Sequence, residues 1–430
     1  MAAKTQIWCF LFMCLAAARM IAGRMIAQEG GSECDNLNVK KVTYLSPPLT
    51  AMPGEVNNKF FPGMFPKGHI GIKSLNADLV YQNGEPVPLS DIYLHHWVML
   101  EFGVPKEKAQ KHLGHLLRKM RRHHKHHMTY DNATAFAASE APSHHHHRFH
   151  GDKKAKVMNF MGKGGETRHT ETRLPGPYVI KSGNPGEGYE TVWTLNVHGL
   201  DTRGTVNKEG CAECRCHLFN ATTDKDGEPL PEGYIGGLRC CGDGNQCAVK
   251  EGFNGGKNTF HLRYEWEYID WNECLVPTRG IGIDVTNHNG YDEGLVEFTV
   301  EGCGDADPTS DECLDTREAT MIAPIGGEIV YTVSHLHAST LDAAMYGEDG
   351  RLICRTTPMY GQGEEAGNEK NYVVGIKSCY GNPGTPNAER VEQGEKLRYV
   401  VQSTKVGGPH TGLMGLGGIT MVADGAKADM

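Results

Sequence analysis

The sequence of 430 residues has few of the features that mark three common classes of protein. Beyond residue 27 it has no apolar run long enough to cross a bilayer, so no transmembrane span is predicted for the mature chain. Basic residues do not dominate, and a formal net charge of −9 is unfavourable for a dedicated nucleic-acid-binding protein. The His-Glu-x-x-His motif of many zinc hydrolases is missing, and long helical periodicity is scarce.

Glycine and proline are abundant instead, with 54 and 21 residues, and the apolar runs between them are short. Such a turn-rich pattern is typical of an all-β protein. A chain of 430 residues is also too long for one ordinary core. The sequence therefore predicts two antiparallel, jelly-roll-like β-sandwich domains, over residues 28–303 and 304–430, with the boundary at a polar loop after Cys303.

The N-terminus has the pattern of a secretory signal peptide. Lys4 supplies a positive charge, and the apolar run of residues 7–18 is too short to span a bilayer comfortably. Cleavage near Ala22 or Ala27 makes residues 1–27 the signal, and an uncleaved anchor is the alternative. Removal of this segment takes away three basic residues and no acid, so the formal net charge falls from −9 to −12. The mature chain is predicted to be secreted.

The chain has 14 cysteines, of which two lie inside the signal peptide. The even number that remains in a secreted chain indicates disulfides. Six of them lie in residues 211–247, where the Cys-x-x-Cys-x-Cys motif could bind zinc in a cytosolic protein. Behind a signal peptide, disulfides are the better interpretation, and their pairing cannot be deduced from sequence. The candidates are Cys34, Cys211, Cys214, Cys216, Cys240, Cys241, Cys247, Cys274, Cys303, Cys313, Cys354 and Cys379. Two sequons, at Asn132 and Asn220, predict glycosylation in the same compartment.

Half of the 22 histidines lie in residues 106–155, interleaved with lysine and arginine. This composition predicts a disordered, solvated insert between two strands. The alternatives are a low-specificity metal-collecting tract and a patch that gains charge at acidic pH. The insert lacks the fixed geometry that a catalytic site needs. Its histidines are His112, His115, His123, His124, His126, His127, His144, His145, His146, His147 and His150.

Other histidines lie on predicted strands. His95 and His96 are adjacent within residues 92–100, a run with the composition of a buried strand. Side chains alternate along a regular strand, so both histidines can bind one ion only at a bulge or a strand end. His198 ends the alternating run 191–198, where a lone histidine is usually a structural residue.

His335 and His337 form the most informative pattern, a His-x-His that follows the strand-like run 328–333. Both side chains point to one face of the strand and form a ready chelate. Imidazole suits copper, zinc, iron and nickel alike, so this pair alone does not choose the metal. Met414 lies in a late apolar run. A methionine there normally fills the core, but its thioether is also a soft ligand that favours Cu(I).

The order of these residues along the chain resembles that of the ascorbate-dependent two-copper monooxygenases, the peptidylglycine and dopamine hydroxylase type. In that family one copper takes three histidines and the other takes two histidines and a methionine. The resemblance implies two copper sites, one of His95, His96 and His198 and one of His335, His337 and Met414. The first would store and deliver an electron, and the second would meet dioxygen. Ascorbate is the implied reductant, and a small or peptide substrate would be hydroxylated.

Five segments resemble the plant stress-up-regulated nodulin family over most of the mature chain. They are 94–98 (LHHWV), 195–201 (LNVHGLD), 237–241 (GLRCC), 375–380 (GIKSCY) and 410–415 (HTGLMG). This resemblance implies a secreted plant-type protein of the apoplast or cell wall with a part in the stress response. It supplies no activity. The His-rich insert departs from the usual family pattern.

Three other functions fit the sequence. A copper-binding or copper-buffering protein would keep the ligands without turnover. A disulfide-stapled extracellular interaction protein would use the histidines structurally. A zinc hydrolase fits least, because no general base accompanies the His-x-His pair. No motif identifies the substrate or the oligomeric state.

Overall fold

A computed structural model of the protein describes residues 37–123, 155–224, 227–287 and 296–425. The predicted signal peptide, Cys34, Asn132 and most of the His-rich insert lie outside these residues. Strands make up about half of the described part and helices are few, which confirms the all-β class.

The first ten strands precede residue 290. They are β1 (Lys40–Leu45), β2 (Leu49–Ala51), β3 (Val56–Gly63), β4 (Ile70–Tyr81), β5 (Ile92–Pro105), β6 (Lys156–Lys163), β7 (Tyr178–Ser182), β8 (Tyr189–Asp201), β9 (Asn258–Asp270) and β10 (Val276–Asp284). The later strands are β11 (Phe298–Val300), β12 (Leu314–Ile322), β13 (Gly327–Leu336), β14 (Thr340–Tyr346), β15 (Leu352–Tyr360), β16 (Val373–Lys377), β17 (Cys379–Tyr380), β18 (Arg390–Val391), β19 (Lys396–Thr404), β20 (His410–Leu413) and β21 (Gly415–Ala423). The α-helices are α1 (Ala109–His123), α2 (Lys208–Ala212) and α3 (Cys216–Phe219), and 3-10 turns cover Lys106–Lys108, Gly165–Arg168 and Asp311–Cys313.

These strands form one large sheet and three smaller ones. The ten-stranded sheet has the order β1-β9-β4-β7-β10-β21-β13-β17, with β2 beside β9 and β18 beside β13. The five-stranded sheet is β12-β19-β14-β15-β16, the four-stranded sheet is β3-β8-β5-β6, and β11 pairs with β20. Strand β7 is parallel to β10, whereas the other named pairs are antiparallel.

The first core lies between the β1-β9-β4 end of the ten-stranded sheet and the four-stranded sheet. In β9 the buried residues Phe260, Leu262, Tyr264 and Trp266 alternate with more exposed ones. Because side chains alternate along a strand, all four of these residues point to the same face. That face meets Trp193 of β8, whose ring lies edge-on to Trp266 with centroids 5.0 Å apart. The alternation of apolar and polar residues in the sequence thus gives each sheet an apolar face, and the two faces pack as a sandwich.

The second core lies between the β10-β21-β13 part of the same large sheet and the five-stranded sheet. It includes Ile281 and Ile419 from the large sheet and Met345, Tyr399 and Val401 from the smaller one. Two sandwiches therefore share one sheet, which agrees with the predicted fold class. Since β10 precedes residue 303 and pairs with β21, the sheet continues through both predicted domains, and their boundary stays a prediction.

Part of the His-rich insert is helical, where the sequence analysis predicted a disordered loop. Leu113, Leu116, Leu117 and Met120 of α1 recur at i, i+3, i+4 and i+7, a spacing that lines one face of a helix. This face packs on the four-stranded sheet. The prediction of disorder was wrong for this part of the insert. It was based on the many charged residues and histidines, which obscure the helical spacing of the apolar residues. The rest of the insert lies outside the described residues.

The cysteines of the described residues are in disulfides, as the sequence predicts. The pairs are Cys211–Cys247, Cys214–Cys241, Cys216–Cys240, Cys303–Cys313 and Cys354–Cys379. Cys274 is disulfide-bonded as well. Disulfides are typical of extracellular proteins. Asn220 is exposed at the end of α3, and its glycosylation stays a prediction. In the described ranges, no helix has the length and apolar character needed to cross a bilayer.

Candidate metal centre

A β-bulge at His95 allows two adjacent histidines to face the same region. Where β5 pairs with β8, Leu94 lies opposite Gly199 and His96 lies opposite His198, so His95 is the additional residue. A bulge takes one residue out of the ladder and re-aims its side chain. The structure therefore meets the condition that the sequence sets for joint binding by this pair.

The bulge brings His95, His96 and His198 together. One ring nitrogen of each lies within 4.8 Å of the others. His95 stacks on His198 with ring centroids 4.6 Å apart, and the His96 ring is steeply inclined to His198 at 4.9 Å. Three converging imidazoles are a donor set that holds divalent transition metals and copper. These three residues form a candidate metal-binding site.

Asn196 orients His96 within this site. Its Oδ1 accepts a hydrogen bond from His96 Nε2 at 2.9 Å. The Asn196 amide nitrogen donates to the carbonyl oxygen of Lys59 at 3.1 Å, which sets the direction of the amide. Because an amide oxygen only accepts, His96 carries its proton on Nε2, and the lone pair of the neutral ring lies on Nδ1. Asn196 was not predicted as a site residue, although the strand period of two places it on the same face as His198.

His335 and His337 form a second pair of ligands at the end of β13. Their Nε2 atoms are 3.1 Å apart, and the rings are nearly perpendicular. At metal–nitrogen distances of about 2.0–2.1 Å, two imidazoles on one ion have their nitrogens roughly 3–3.5 Å apart. The pair is therefore arranged as a chelate.

Glu166 holds His335 in place from the turn Gly165–Arg168. Its Oε1 accepts a hydrogen bond from His335 Nδ1 at 2.6 Å, which leaves Nε2 for an ion. Its Oε2 accepts from the Gly164 amide at 2.8 Å. Burial opposes ionisation, but His335, Gly164 and Lys163 together hold the pKa of Glu166 below its ordinary value. Carboxylates commonly orient metal-binding histidines in this way.

No general base accompanies the His-x-His pair in the sequence, whereas the tertiary structure places the carboxylate of Glu166 beside His335. Glu166 follows the His-rich insert in a glycine-rich turn, where no spacing relates it to His335. Because both of its oxygens already accept hydrogen bonds and its pKa is low, it is suited to orienting a ligand and poorly suited to acting as a general base.

The two groups of histidines touch each other. His95 and His337 have ring centroids 4.7 Å apart. Together with the contacts above, they complete a continuous row in the order His96, His198, His95, His337, His335. We call these five residues the histidine row. It joins β5 and β8 of the four-stranded sheet to β13 of the ten-stranded sheet.

His95 and His337 are held neutral within the histidine row. Burial, followed by the neighbouring His198 and His337, lowers the pKa of His95 well below its ordinary value. Burial and His335 likewise lower the pKa of His337, against a hydrogen bond to the backbone of Gly412. Neutral imidazole keeps a lone pair for a metal ion. His95 Nδ1 is buried and makes no hydrogen bond within the described ranges, so a bound ion would give it a partner.

Met414 immediately precedes β21, the strand that pairs with β13 and so with His335. Strand β21 pairs antiparallel with β13, and Leu336 lies opposite Gly415. This is the last pair of the register, and His337 and Met414 each lie one residue beyond it along the chain. Met414 is buried. Coordination of a metal ion by Met414 remains a prediction.

The cysteine-rich region supports β20, the strand just before Met414. His410 of β20 is hydrogen-bonded to Glu213 at 2.7 Å and to the carbonyl of Val406 at 2.9 Å, and Arg215 binds the other oxygen of Glu213. Burial lowers the pKa of His410, but Glu213 and Val406 outweigh it and raise the pKa above its ordinary value. Glu209, Glu213 and His410 form a second group of possible metal ligands. Because both nitrogens of His410 already have protein partners, we interpret this group as structural.

Glu166→Gln is expected to weaken metal binding by about 10- to 100-fold, since loss of a group that orients a histidine ligand typically has this effect. Glutamine keeps the size of the side chain but removes the charged acceptor of His335 Nδ1. Chelator competition with Cu(II) measures the affinity. The matched control is Glu171→Gln, an exposed acid a short distance along the chain whose side chain accepts only local backbone hydrogen bonds among those described. Equal affinity in the two variants would contradict the role of Glu166.

Glu297 is expected to make stability depend on pH. Its carboxylate accepts hydrogen bonds from the Leu238 amide and the Tyr234 hydroxyl, and burial raises its pKa from 4.5 to about 7. The folded state therefore binds the proton of Glu297 more tightly than the unfolded state does. The resulting stabilisation is complete below pH 4.5, the ordinary pKa, and is lost as the pH rises through about 7, the folded-state pKa. The free energy of unfolding should fall by up to about 3 kcal/mol over this window.

Urea unfolding of the wild type and of Glu297→Gln, at about pH 5 and about pH 8, measures this contribution. The wild type should lose more stability than the variant between the two conditions. Parallel losses would mean that the pKa of Glu297 is the same in the folded and unfolded states.

Comparisons with known proteins bear on the whole chain. A family model described as "Stress up-regulated Nod 19" matches residues 37–424. No curated protein matches the sequence. Among solved structures, the chain is similar to the VP2 subviral particle of infectious bursal disease virus, at 10% identity over 92% of this chain and 74% of that chain, with a TM-score of 0.17. A TM-score this low supports no conclusion about fold or function.

Proposed function

We propose that this chain, which belongs to the stress up-regulated Nod 19 family, is a secreted protein that binds two copper ions at its histidine row. The family match confirms the nodulin resemblance of segments such as 94–98 and 410–415. The resemblance to two-copper monooxygenases stays a prediction. The observation that carries our proposal is the convergence of His95, His96 and His198.

The donor set supports copper over other metals. The five imidazoles of the histidine row suit copper, zinc, iron and nickel, and Asn196 and Glu166 orient two of them. Met414, which precedes Gly415 at the end of the β13–β21 pairing, would add a thioether. Thioethers select Cu(I), whereas zinc sites in proteins use nitrogen, thiolate and oxygen ligands. One ion would take the three-histidine group and the other the His335–His337 pair with Met414.

The more specific form of the proposal is a copper monooxygenase that hydroxylates a small or peptide substrate with O2 and a reductant such as ascorbate. Bound copper would supply the redox chemistry. The chain would supply ligands whose positions are set before the metal arrives, because Asn196 holds His96 and Glu166 holds His335. His96 and His335 are the partly exposed members of the row, whereas His95, His198 and His337 are buried.

The burial of the row favours a second candidate, a copper-binding protein of the stress response without turnover. His95, His198 and His337 are 1%, 0% and 6% exposed. A substrate has to reach the metal ion, whereas storage or buffering requires only that the ion itself enters. Turnover separates the two candidates, since both need the same ligands. A metal-free extracellular interaction protein is the remaining alternative.

Copper titration of the full-length secreted chain tests the proposal. Because the His-rich insert could bind copper itself, the titration uses a background in which His123, His124, His126, His127, His144, His145, His146 and His147 are alanine. We expect about two tightly bound ions per chain. His261→Gln, a partly buried strand histidine bonded to the Ser46 carbonyl, should leave this number unchanged. No bound copper in this background would overturn both copper functions.

Oxygen consumption on addition of ascorbate then separates the enzyme from the storage protein. The copper-loaded chain is compared with free copper at the same concentration, because free copper also oxidises ascorbate. Uptake above that level supports the monooxygenase. Two bound ions without such uptake support the copper-binding protein.

A further inference from the structure

We infer that the two ions occupy one coupled centre within the histidine row and do not occupy two isolated sites. This inference rests on the proposed function, because it concerns the copper ions bound there. Its basis is the contact between His95 of the three-histidine group and His337 of the pair, with ring centroids 4.7 Å apart. His95 also stacks on His198 at 4.6 Å, so it lies between the two groups.

This ring contact limits the distance between the ions. An ion bound to a ring nitrogen at about 2 Å lies roughly 3 Å from the centroid of that ring. Ions bound to His95 and His337 are therefore at most about 11 Å apart, and closer when the coordinating nitrogens face one another. Unpaired electrons of two Cu(II) ions at such a separation interact through space. No backbone layer intervenes to separate them, because the two rings are in contact.

The donors of the two groups set the order in which the ions bind. Glu166, bonded to His335, places a carboxylate at one end of the row. The three-histidine group offers three imidazole nitrogens, whereas the other site offers two together with the thioether of Met414, which favours Cu(I). The first Cu(II) ion should therefore bind to the three-histidine group. Two cations in one buried cluster repel each other. The second ion is therefore expected to bind more weakly than the first, with its charge partly offset by Glu166.

Electron paramagnetic resonance during Cu(II) titration tests the inference, using the full-length chain in the histidine-poor background defined above. The first equivalent should give the signal of an isolated Cu(II) ion. The second should broaden that signal and add the half-field signal of two interacting spins. In His337→Ala, which keeps His95, His96 and His198, we expect about one bound ion and no half-field signal. His261→Gln should behave as the wild type.

Each outcome of this titration has a separate meaning. Two bound ions whose spectrum is the sum of two isolated signals would overturn the coupled centre and leave the copper-binding proposal standing. A single bound ion in the wild type would also overturn it. No bound copper would instead overturn the proposed function. The wild-type titration is decisive even if His337→Ala does not fold, because its half-loaded and fully loaded states are compared within one protein.

Discussion

Replacement of His95 by alanine should lower the copper affinity of the histidine row by at least about 100-fold, because loss of a group that merely orients a ligand already costs 10- to 100-fold. His95 contacts His198 at 4.6 Å and His337 at 4.7 Å, so its loss removes one ligand and separates the two groups. Competition with a chromophoric copper chelator measures the change. The His-rich insert is again silenced by alanine substitutions, so that its histidines do not hide the loss.

The control for this experiment is His261→Gln, which changes a histidine of β9 that contacts no member of the row among the contacts described. Because His95 is buried, its replacement can also create a cavity that lowers stability. Thermal unfolding of the metal-free proteins therefore accompanies the titration and separates a folding defect from a loss of ligand. If His95→Ala folds and binds copper as tightly as the wild type, the histidine row is not the copper site.

Replacement of Arg168 by methionine should lower the free energy of unfolding by about 3–5 kcal/mol, the usual cost of removing one partner of a buried ion pair. The Arg168 side chain is only 5% exposed and pairs with Asp78 at 2.9 Å and with the buried Glu369. Its guanidinium also donates to the carbonyl of Val87. Methionine would leave the Glu369 carboxylate without its cation in a buried position.

Arg173→Met is the matched control for Arg168→Met. Arg173 pairs with Glu267 at 3.4 Å, but its side chain is 50% exposed, and exposed pairs contribute less than about 1 kcal/mol. Urea unfolding of the metal-free proteins measures both variants. Equal losses in the two would contradict the buried role of Arg168. Since Arg168 ends the turn that carries Glu166, copper affinity should also fall in Arg168→Met and stay unchanged in Arg173→Met.

The strands that carry the histidines could be predicted because their signal is local. Residues 92–100, 191–198 and 328–333 alternate or concentrate β-branched and aromatic side chains, and each lies within a strand of the structure. Helix α1 was missed, since its apolar period of three and four is hidden among charged residues and histidines. The disulfides could be predicted as a class from the signal peptide and the cysteine count, whereas their pairing required the fold.

The candidate site also has features that the sequence predicts and features that only the fold provides. The ligand types and their order along the chain were predictable from the sequence. Asn196 could have been found from its spacing to His198, but nothing in the sequence relates Glu166 to His335. The bulge at His95 depends on how β5 pairs with β8, and a single strand does not reveal it.

By itself, then, the sequence determined which residues lie on strands, which faces those strands bury, and which side chains can donate to a metal. These properties follow from the period of two along one strand and from the chemistry of each side chain. Only the tertiary structure decided that His95 touches His337, so that the two predicted groups of histidine ligands form one continuous row. That contact joins strands of two different sheets, and the distance between sheets is set by the packing of both cores, which no local pattern encodes.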